Sequence, residues 1–267
     1  MIDVFDTLIV KKFPERRNIK IYPIADVHLG AIECREELWQ KFCRMILADK
    51  DSYLILAGDL INNNIRTSLG SPFEQVYRPR TQKQLMVEYL KPIRDRILCM
   101  VGGNHEARTA KDTDSSPAYD IAAKLDLEDV FREDIAFLKI PFGDSKSNGQ
   151  VNPCYTLCVV HGNGSSIYTT NAAMRAERFG MSIDGCDCII SAHIHKPQDF
   201  PVGKYVIDKF NNQVTIKPFE VFVCTSWLAN SPYAVKKLYT PVVFSLKHLE
   251  LYGKKKAIAT VPDVDFV

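Results

Sequence analysis

The sequence lacks several features that would each assign it to a particular class of protein. No apolar run comes near the roughly 18 residues that a membrane-spanning helix needs, so we predict no membrane segment. Residues 1–10 contain two aspartates and no basic residue ahead of the apolar ones, so we expect no signal peptide. None of the eight cysteines forms a C-x-x-C pair, which disfavours a structural zinc site or a redox motif. These absences favour a cytoplasmic protein with reduced thiols.

An excess of charge of one sign is also missing. The 34 lysines and arginines nearly balance the 32 aspartates and glutamates, which leaves a net charge of +2. This balance gives no evidence for nucleic-acid binding from total charge, but it permits a local basic groove. The 46% hydrophobic and 25% charged residues are typical of a globular protein. Without a low-complexity linker or an internal repeat, residues 1–267 are predicted to form one domain.

The first hundred residues alternate between short apolar runs and amphipathic stretches. We predict strands at 19–24, 53–57 and 97–101, and helices at 36–47 and 82–96. The first helix has Trp39, Phe42, Cys43 and Ile46 at helical spacing, and Pro92 should kink or shorten the second. Continuous apolar runs are typical of strands covered on both faces, so we infer an α/β core. Ligands of such sheets bind beyond the carboxyl ends of the strands.

The rest of the chain is richer in predicted strands. We predict strands at 135–142, 155–160, 188–192, 242–246 and 257–261, helices at 117–125 and 170–179, a loop at 143–152, and a hairpin over 204–223 that turns at Asn211 and Asn212. The β-rich last third, residues 200–267, indicates a second sheet packed on the first and not a separate domain.

Polar side chains follow most of these predicted strands, at the point where each apolar run ends. They are Asp26, His28, Asp59, Asn104, His105, His161, His193 and His195. If the first run is a strand, Asp26 and His28 point to the same side, because side-chain direction repeats every two residues. A lone histidine is more often a core or surface residue, but five of the six histidines fall in this set and His248 lies outside it. The sequence therefore predicts a metal site at one sheet edge.

The motifs D-x-H, G-D, G-N-H-E, H-G and H-x-H, in this order between Asp26 and His195, resemble the calcineurin-like metallophosphoesterase superfamily. The resemblance implies an α/β fold, a four-layer αββα sandwich of two mixed β-sheets flanked by helices. It also implies that Asp26, His28 and His195 hold one metal ion, that Asn104, His161 and His193 hold the other, and that Asp59 bridges both. His105 and Glu106 would be catalytic, with His105 facing the substrate and Glu106 holding its ring.

The chemistry that these residues suit is the hydrolysis of a phosphoester by two divalent metal ions. Two ions about 3.5–4 Å apart clamp the attacking and leaving oxygens and lower the pKa of bound water to about 7, so a metal-bridging hydroxide would attack in line. A carboxylate at Asp59 would offset the repulsion between the ions, and His105 would protonate the leaving alkoxide. Mixed histidine, asparagine and aspartate ligands suit borderline metals, and we favour manganese over iron, zinc and magnesium.

The sequence departs from the family's usual motifs at several positions, and these departures indicate which branches of the family it resembles least and most. Asn62 stands where many members have a second aspartate after the bridging one, and Glu106 stands where many have aspartate. The Asp-Arg-Gly signature of the protein Ser/Thr phosphatases does not follow Asp59, which disfavours that branch. The G-N-H-E and H-x-H motifs are most similar to those of the SbcD-type DNA exonuclease branch. That similarity implies a DNA or nucleotide phosphodiester substrate and a homodimer.

Three functions remain open at this point. We favour a metal-dependent phosphodiesterase, either a DNA nuclease or a nucleotide phosphodiesterase. A phosphomonoesterase for a small molecule or nucleotide is the second function, and a non-catalytic interaction scaffold on the same fold is the third. The residues predicted to contact substrate are Arg66, Arg78, Arg80 and Arg108. They would form a nucleic-acid groove with Phe73 and Tyr77 stacking on bases, whereas each arginine alone is usually a solvated surface charge.

Overall fold

Two six-stranded mixed sheets form the centre of the computed structural model, which describes residues 8–15, 17–68, 70–143, 152–164, 170–230, 235, 238 and 240–266. The strands are β1 (Leu8–Val10), β2 (Ile19–Ile24), β3 (Ser52–Ala57), β4 (Ile97–Val101), β5 (Phe131–Arg132), β6 (Ile135–Pro141), β7 (Cys154–Val160), β8 (Cys188–Ser191), β9 (Gln198–Asp208), β10 (Gln213–Val223), β11 (Lys247–Leu251) and β12 (Ile258–Pro262). The helices are α1 (Glu36–Ala48), α2 (Pro79–Leu90), α3 (Asn104–Thr113), α4 (Pro117–Lys124) and α5 (Thr170–Met181), with short 3-10 helices at Lys91–Arg96, Glu128–Val130 and Val264–Phe266.

The first sheet has the strand order β12-β11-β2-β3-β4-β5, and the second has the order β1-β6-β7-β8-β10-β9. Strands β2 to β5 run parallel to one another, as do β7, β8 and β10. The first sheet is completed by β11, antiparallel to β2, and by β12, antiparallel to β11. The second is completed by β6, antiparallel to β7, by β1, parallel to β6, and by β9, antiparallel to β10. Each parallel set gathers the carboxyl ends of its strands at one edge, and a hydrogen bond from the His161 ring to the Ala57 carbonyl joins the two edges.

Apolar side chains between the layers hold the sandwich together. Trp39, Phe42, Cys43 and Ile46 of α1 are buried, as their spacing predicts, and Trp39 packs edge-on against Trp227. Each such side chain that leaves water contributes about 1.5–3 kcal/mol to folding. On the other side, α5 covers the second sheet and adds a smaller cluster with β8 and β10. The predicted fold of two mixed sheets flanked by helices is thus confirmed.

The predicted helix at 82–96 is divided in the structure. α2 begins at Pro79 and ends at Leu90, and Pro92 lies in the 3-10 helix that follows. Proline is suited to the first turn of a helix, where its missing N–H has no partner to lose. In a helix interior it removes a backbone hydrogen bond, so Pro92 shortens the helix as predicted.

One predicted strand is wrong and several short elements were not predicted. Residues 242–246 form no strand, because the N–H groups of Val242 and Ser245 donate to the side-chain oxygens of Asn230 and Thr225. The strand of this region is β11, which starts directly afterwards. β1, β5 and α3 were not predicted, and most of the predicted loop at 143–152 lies outside the described residues. No helix within the described ranges has the length and apolarity that a membrane crossing requires.

Candidate metal centre

The predicted site residues lie just beyond the carboxyl ends of strands in both sheets. Asp26 and His28 follow β2, Asp59 follows β3, Asn104 and His105 follow β4, His161 follows β7, and His193 and His195 follow β8. Five of them have left-handed backbones with φ between 49° and 75°, namely Asp26, His28, Asp59, His193 and His195. Such conformations cost of order 1–3 kcal/mol each and concentrate at functional sites.

Strand alternation does not account for the placement of Asp26 and His28. β2 ends at Ile24, so both residues lie beyond it, in a segment where each has a positive φ. Their backbone N–H groups donate to the carbonyls of Gly58 and Asp59, at 3.1 and 3.0 Å. The turn after β2 is therefore held against the turn after β3, and this pairing brings both side chains to the site.

Asp26, His28 and His195 form the first ligand group. The Nε2 atoms of His28 and His195 are 3.1 Å apart, and Asp26 Oδ1 lies 3.3 Å from His195 Nε2 and 3.7 Å from His28 Nε2. Asp26 and His28 are buried, and Asp26 Oδ1 finds no well-aligned hydrogen bond within the described chain. A buried carboxylate oxygen that faces two imidazole nitrogens in this way has the surroundings of a metal ligand.

Asp59, Asn104, His161 and His193 form the second ligand group. His161 Nε2 is 3.2 Å from Asp59 Oδ2 and 3.0 Å from Asn104 Oδ1, while His193 Nδ1 is 2.7 Å from Asn104 Oδ1 and 3.3 Å from His161 Nε2. Asp59 Oδ2 also lies 3.9 Å from His28 Nε2 in the first group. The Asp59 carboxylate is thus the side chain between the two groups, the position that the resemblance gives to a bridging ligand.

The hydrogen bonds of two rings determine which nitrogens face the second ligand group. His161 Nδ1 lies 2.8 Å from the Ala57 carbonyl, and His193 Nε2 lies 2.8 Å from the Gly164 carbonyl, so these nitrogens carry the ring protons. The opposite nitrogens then present lone pairs to nearby oxygens, and lone pairs at these distances repel unless a cation lies among them. Ligand atoms about 2.0–2.2 Å from one divalent ion stand about 3 Å apart. The donor set and its spacing therefore fit divalent metal ions.

Without a metal ion, a proton on His161 would supply the positive charge that these neighbouring lone pairs require. Burial lowers the pKa of His161, but the carboxylate of Asp59 outweighs burial and raises the pKa to about 10. Burial also opposes ionisation of Asp26, yet the charge of His195 holds the pKa of Asp26 well below its usual value. The carboxylates of Asp26 and Asp59 are therefore ionised, and each needs a positive charge beside it.

The stability of the metal-free protein is expected to depend on pH through His161. A raised folded-state pKa stabilises the fold fully below the unfolded value of 6.5, and this stabilisation is lost as the pH rises towards about 10. With a chelator present to remove metal ions, we expect the melting temperature to fall by several degrees between pH 6.5 and about 8.5. The range ends there because cysteine thiols begin to ionise near pH 8.5 and would add their own pH dependence. Differential scanning fluorimetry measures this.

The variant His161→Gln provides the control for this pH dependence. It should flatten the fall in melting temperature, because the group that titrates is gone. Adding Mn²⁺ should also reduce the fall in the native protein, since metal binding strengthens as protons leave. A native protein whose metal-free stability rises over this pH range would contradict the assignment.

His105 lies beside both ligand groups on the first turn of α3. Its Nε2 is 3.8 Å from Asp59 Oδ2, and its Nδ1 is 2.6 Å from the Asn62 carbonyl, which accepts the ring proton. Burial, and then the nearby His28 ring, lower the pKa of His105 to about 3. The ring is therefore neutral in the metal-free protein, with the Nε2 lone pair directed to the site.

Glu106 does not hold the His105 ring, and this predicted role is wrong. Its carboxylate accepts the backbone N–H groups of Gly103 and Asp59 at 3.0 Å each, and that of Ile61 at 3.1 Å. Burial, and then the Asp59 charge, raise the pKa of Glu106 to about 7. Glu106 thus fixes the backbone around Asp59, while the Asn62 carbonyl holds the ring of His105.

Replacing Glu106 by glutamine is expected to destabilise the protein by about 1–3 kcal/mol. An amide has one accepting end, so its NH₂ group would face a buried backbone N–H that has lost its acceptor. Urea denaturation followed by circular dichroism measures the change, and the exposed Glu74→Gln is the matched control. Equal stabilities of the two variants would count against this role of Glu106.

The close approach of two turns explains why a glycine precedes Asn104. A Cβ atom on Gly103 would lie 2.2 Å from both the backbone nitrogen and Oδ1 of Asp59. Asp59 Oδ1 accepts the N–H of His105 at 2.8 Å, which leaves Oδ2 to face the ligand groups. Only glycine at this position lets α3 begin against the Asp59 carboxylate.

The four predicted substrate arginines separate into two sets. Arg108 lies at the site: its Nη1 is 3.1 Å from Asn64 Oδ1, to which it donates, and 3.2 Å from His105 Nδ1. Arg66, Arg78 and Arg80 are exposed on the segment between β3 and α2 and at the start of α2. The structure gives these three no contact with the ligand groups, so their role stays a prediction.

Sequence reasoning missed the contribution of the asparagines after Asp59. Asn62 accepts from the His105 ring, and Asn63 Nδ2 donates to the His105 carbonyl at 2.6 Å. The buried Gln82 of α2 accepts the Asn63 N–H at 2.8 Å. For Asn63, the run of three asparagines was the available signal, because asparagine adopts positive φ, as Asn63 does, and its side chain bonds nearby backbone groups.

A sequence model of the family of calcineurin-like phosphoesterases matches residues 19–197, about two thirds of the chain. No curated protein matches the chain. Similar solved structures include a metallophosphoesterase from Sphaerobacter thermophilus (13% identity, 92% of this chain and 88% of that chain, TM-score 0.40), the calcineurin-like phosphoesterase YfkN from Bacillus subtilis (11%, 94% and 92%, 0.42) and the nuclease MPE from Pseudomonas putida (16%, 91% and 87%, 0.35). The chain belongs to the calcineurin-like phosphoesterase family.

Proposed function

We propose that this chain is a two-metal phosphodiesterase that cleaves nucleic acid or a nucleotide diester. The observation that carries the proposal is the convergence of two ligand groups around the Asp59 carboxylate, with the His105 ring beside them. Asp26, His28 and His195 would hold one ion, Asn104, His161 and His193 the other, and Asp59 both. Divalent ions bound there would supply Lewis-acid stabilisation of the phosphoryl oxygens and activate water at neutral pH.

His105 is the proposed proton donor to the leaving oxygen. The Asn62 carbonyl fixes its ring, so Nε2 points into the site. A phosphoryl group bound beside the ring adds negative charge, which raises the pKa of His105 and lets Nε2 hold a proton. Transfer of that proton to a departing alkoxide accelerates cleavage by roughly 10²–10⁴-fold.

A diester is favoured over a monoester by the charges around the site. Arg108 donates through Nη1 to Asn64, and its other guanidinium nitrogens have no partner in the described chain. They are suited to a phosphate next to the one being cleaved. The exposed Phe73, Arg66 and Arg78 lie on the segment that leaves the same sheet edge, and they provide a stacking ring and cations for a single strand. These features support the predicted likeness to SbcD-type exonucleases.

Manganese is the ion that we propose for both positions. The donors combine neutral imidazoles, carboxylates and one amide oxygen, which together suit borderline divalent ions. Activity after chelation and reconstitution with Mn²⁺, Fe²⁺, Zn²⁺ or Mg²⁺ tests this choice. The highest turnover should be with Mn²⁺.

A substrate panel tests the proposed function. With Mn²⁺ present, bis-p-nitrophenyl phosphate should be hydrolysed faster than p-nitrophenyl phosphate, and DNA or a cyclic nucleotide should be cleaved in preference to mononucleotides. Preferential hydrolysis of the monoester would instead indicate a phosphomonoesterase. Turnover of none of these substrates by the metal-loaded protein would favour the interaction scaffold.

Salt dependence is expected to distinguish a nucleic-acid substrate from a small one. If the exposed arginines contact DNA phosphates, KM for single-stranded DNA should rise steeply with salt, because each neutralised phosphate releases counterions. Arg66→Gln should lower that slope, whereas Arg94→Gln, which removes a cation paired with Asp126, should not. A KM for DNA that is flat in salt would indicate that the substrate is small.

A further inference from the structure

The hairpin of β9 and β10 extends past the second sheet as a two-stranded arm, which we define as residues 204–217. β8 pairs with β10 over Glu220–Val223, whereas β9 and β10 pair with each other along their full length. Within the described chain, the arm therefore has no third strand beside it. A two-stranded hairpin is marginally stable at best in water without further packing.

One face of the arm is apolar and exposed. Tyr205 is opposite Ile216, and Ile207 is opposite Val214, so these four side chains lie on the same face. With Phe210 in the turn, they are 64–95% exposed. We call these five side chains the apolar arm face. Exposed apolar groups in such a contiguous set, without a charge among them, are typical of an interaction site.

The opposite face of the arm is directed towards its own chain. Lys204 Nζ donates to the Gly180 carbonyl at 3.2 Å and lies 4.2 Å from the centre of the Phe219 ring. Lys217 Nζ is 3.2 Å from Asp187 Oδ1. The two lysines fix the arm against α5 and the start of β8, and they leave the apolar arm face turned away from these contacts.

We propose that the apolar arm face packs against the same face of a second copy of this chain. A two-fold interface uses one patch twice, so the patch must be complementary to itself. An uncharged apolar face meets this condition. A lipid surface or a nucleic acid would need several cations on this face, but Lys204 and Lys217 are on the other face and engaged within the chain, which leaves Lys209 in the turn as the one cation of the arm near it.

The size of the face agrees with a dimer interface. Stable interfaces bury about 800 Å² on each partner, and Tyr205 and Phe210 supply about 150–250 Å² each. Two arms packed face to face make a four-stranded, two-layer unit with layers about 10 Å apart. β10 runs parallel to β8, whose carboxyl end leads to His193, so the tip of the arm lies at the other end of the strands from the ligand groups. The dimer would leave the metal centre open.

Size-exclusion chromatography with light scattering on the full chain tests this interface. At micromolar concentrations the native protein should have twice the 30.3 kDa mass of one chain. Ile207→Asp should have the mass of one chain, because its carboxylate would be buried without a partner. Val264→Asp, at an apolar residue of similar exposure elsewhere, should remain a dimer. Unchanged circular dichroism shows that the variants are folded.

A photo-crosslinking residue at Phe210 identifies what covers the face. On irradiation of the pure protein, a covalent dimer linked between arms is expected, and Ile207→Asp in the same chain should abolish it. A native protein with the mass of one chain, or a dimer that Ile207→Asp leaves intact, would overturn the proposal. Binding of a monomer to vesicles rich in phosphatidylglycerol would also overturn it, since a lipid surface would then be the partner.

Discussion

Asp59→Asn is expected to remove most of the metal from both ligand groups and to abolish turnover. The Asp59 carboxylate lies between the groups, with Oδ2 3.2 Å from His161 Nε2 and 3.9 Å from His28 Nε2. An amide cannot offset the repulsion between two cations. The loss of metal affinity should therefore exceed the roughly 10–100-fold that follows removal of an outer partner of a ligand. Inductively coupled plasma mass spectrometry of the purified protein measures the metal content.

The control for this variant is Asp187→Asn. Asp187 is also buried and pairs with Lys217 and Lys256, but it lies outside the ligand groups. This change should lower stability and leave the metal content unchanged. Full occupancy of both positions in Asp59→Asn would show that the carboxylate bridges nothing.

His105→Ala is expected to lower turnover by roughly 10²–10⁴-fold while both metal ions stay bound. The ring is anchored by the Asn62 carbonyl, and it lies 3.8 Å from the Asp59 carboxylate. It also stands near enough to His28 and Asp59 to form a third possible ligand set. Hydrolysis of bis-p-nitrophenyl phosphate and metal content, measured on the same preparation, distinguish a proton donor from a metal ligand.

His248→Gln is the matched control for the His105 variant. His248 is buried on β11 and stacks near Tyr22, away from the ligand groups. Its replacement should change neither turnover nor metal content. Loss of a metal ion from His105→Ala would make His105 a ligand and remove the proposed proton donor.

The sequence was sufficient to predict the ends of strands where the site lies. Apolar runs such as 97–101 bury every side chain, so their hydrophobic pattern indicates both the strand and its boundary. The polar residue that follows then falls at the sheet edge by geometry. The same reasoning predicts that Asp59, Asn104 and His161 lie close together, as they do in the structure.

Other features depend on contacts between distant residues and leave no local pattern. α3 has one buried side chain, Glu106, so it lacks the apolar stripe by which a helix is recognised. Its position comes from the bonds of Glu106 to backbone groups near Asp59, 45 to 47 residues away in sequence. The role of Asn62 could not be predicted either, because its backbone carbonyl and not its side chain accepts the hydrogen bond from the His105 ring.

Anomalous diffraction at the manganese edge, from crystals of the native chain grown with Mn²⁺, tests the central claim most directly. We expect two peaks, one bordered by Asp26, His28 and His195 and the other by Asn104, His161 and His193, with Asp59 between them. No peak among these side chains, or a single peak bordered by His105, would contradict the two-metal centre.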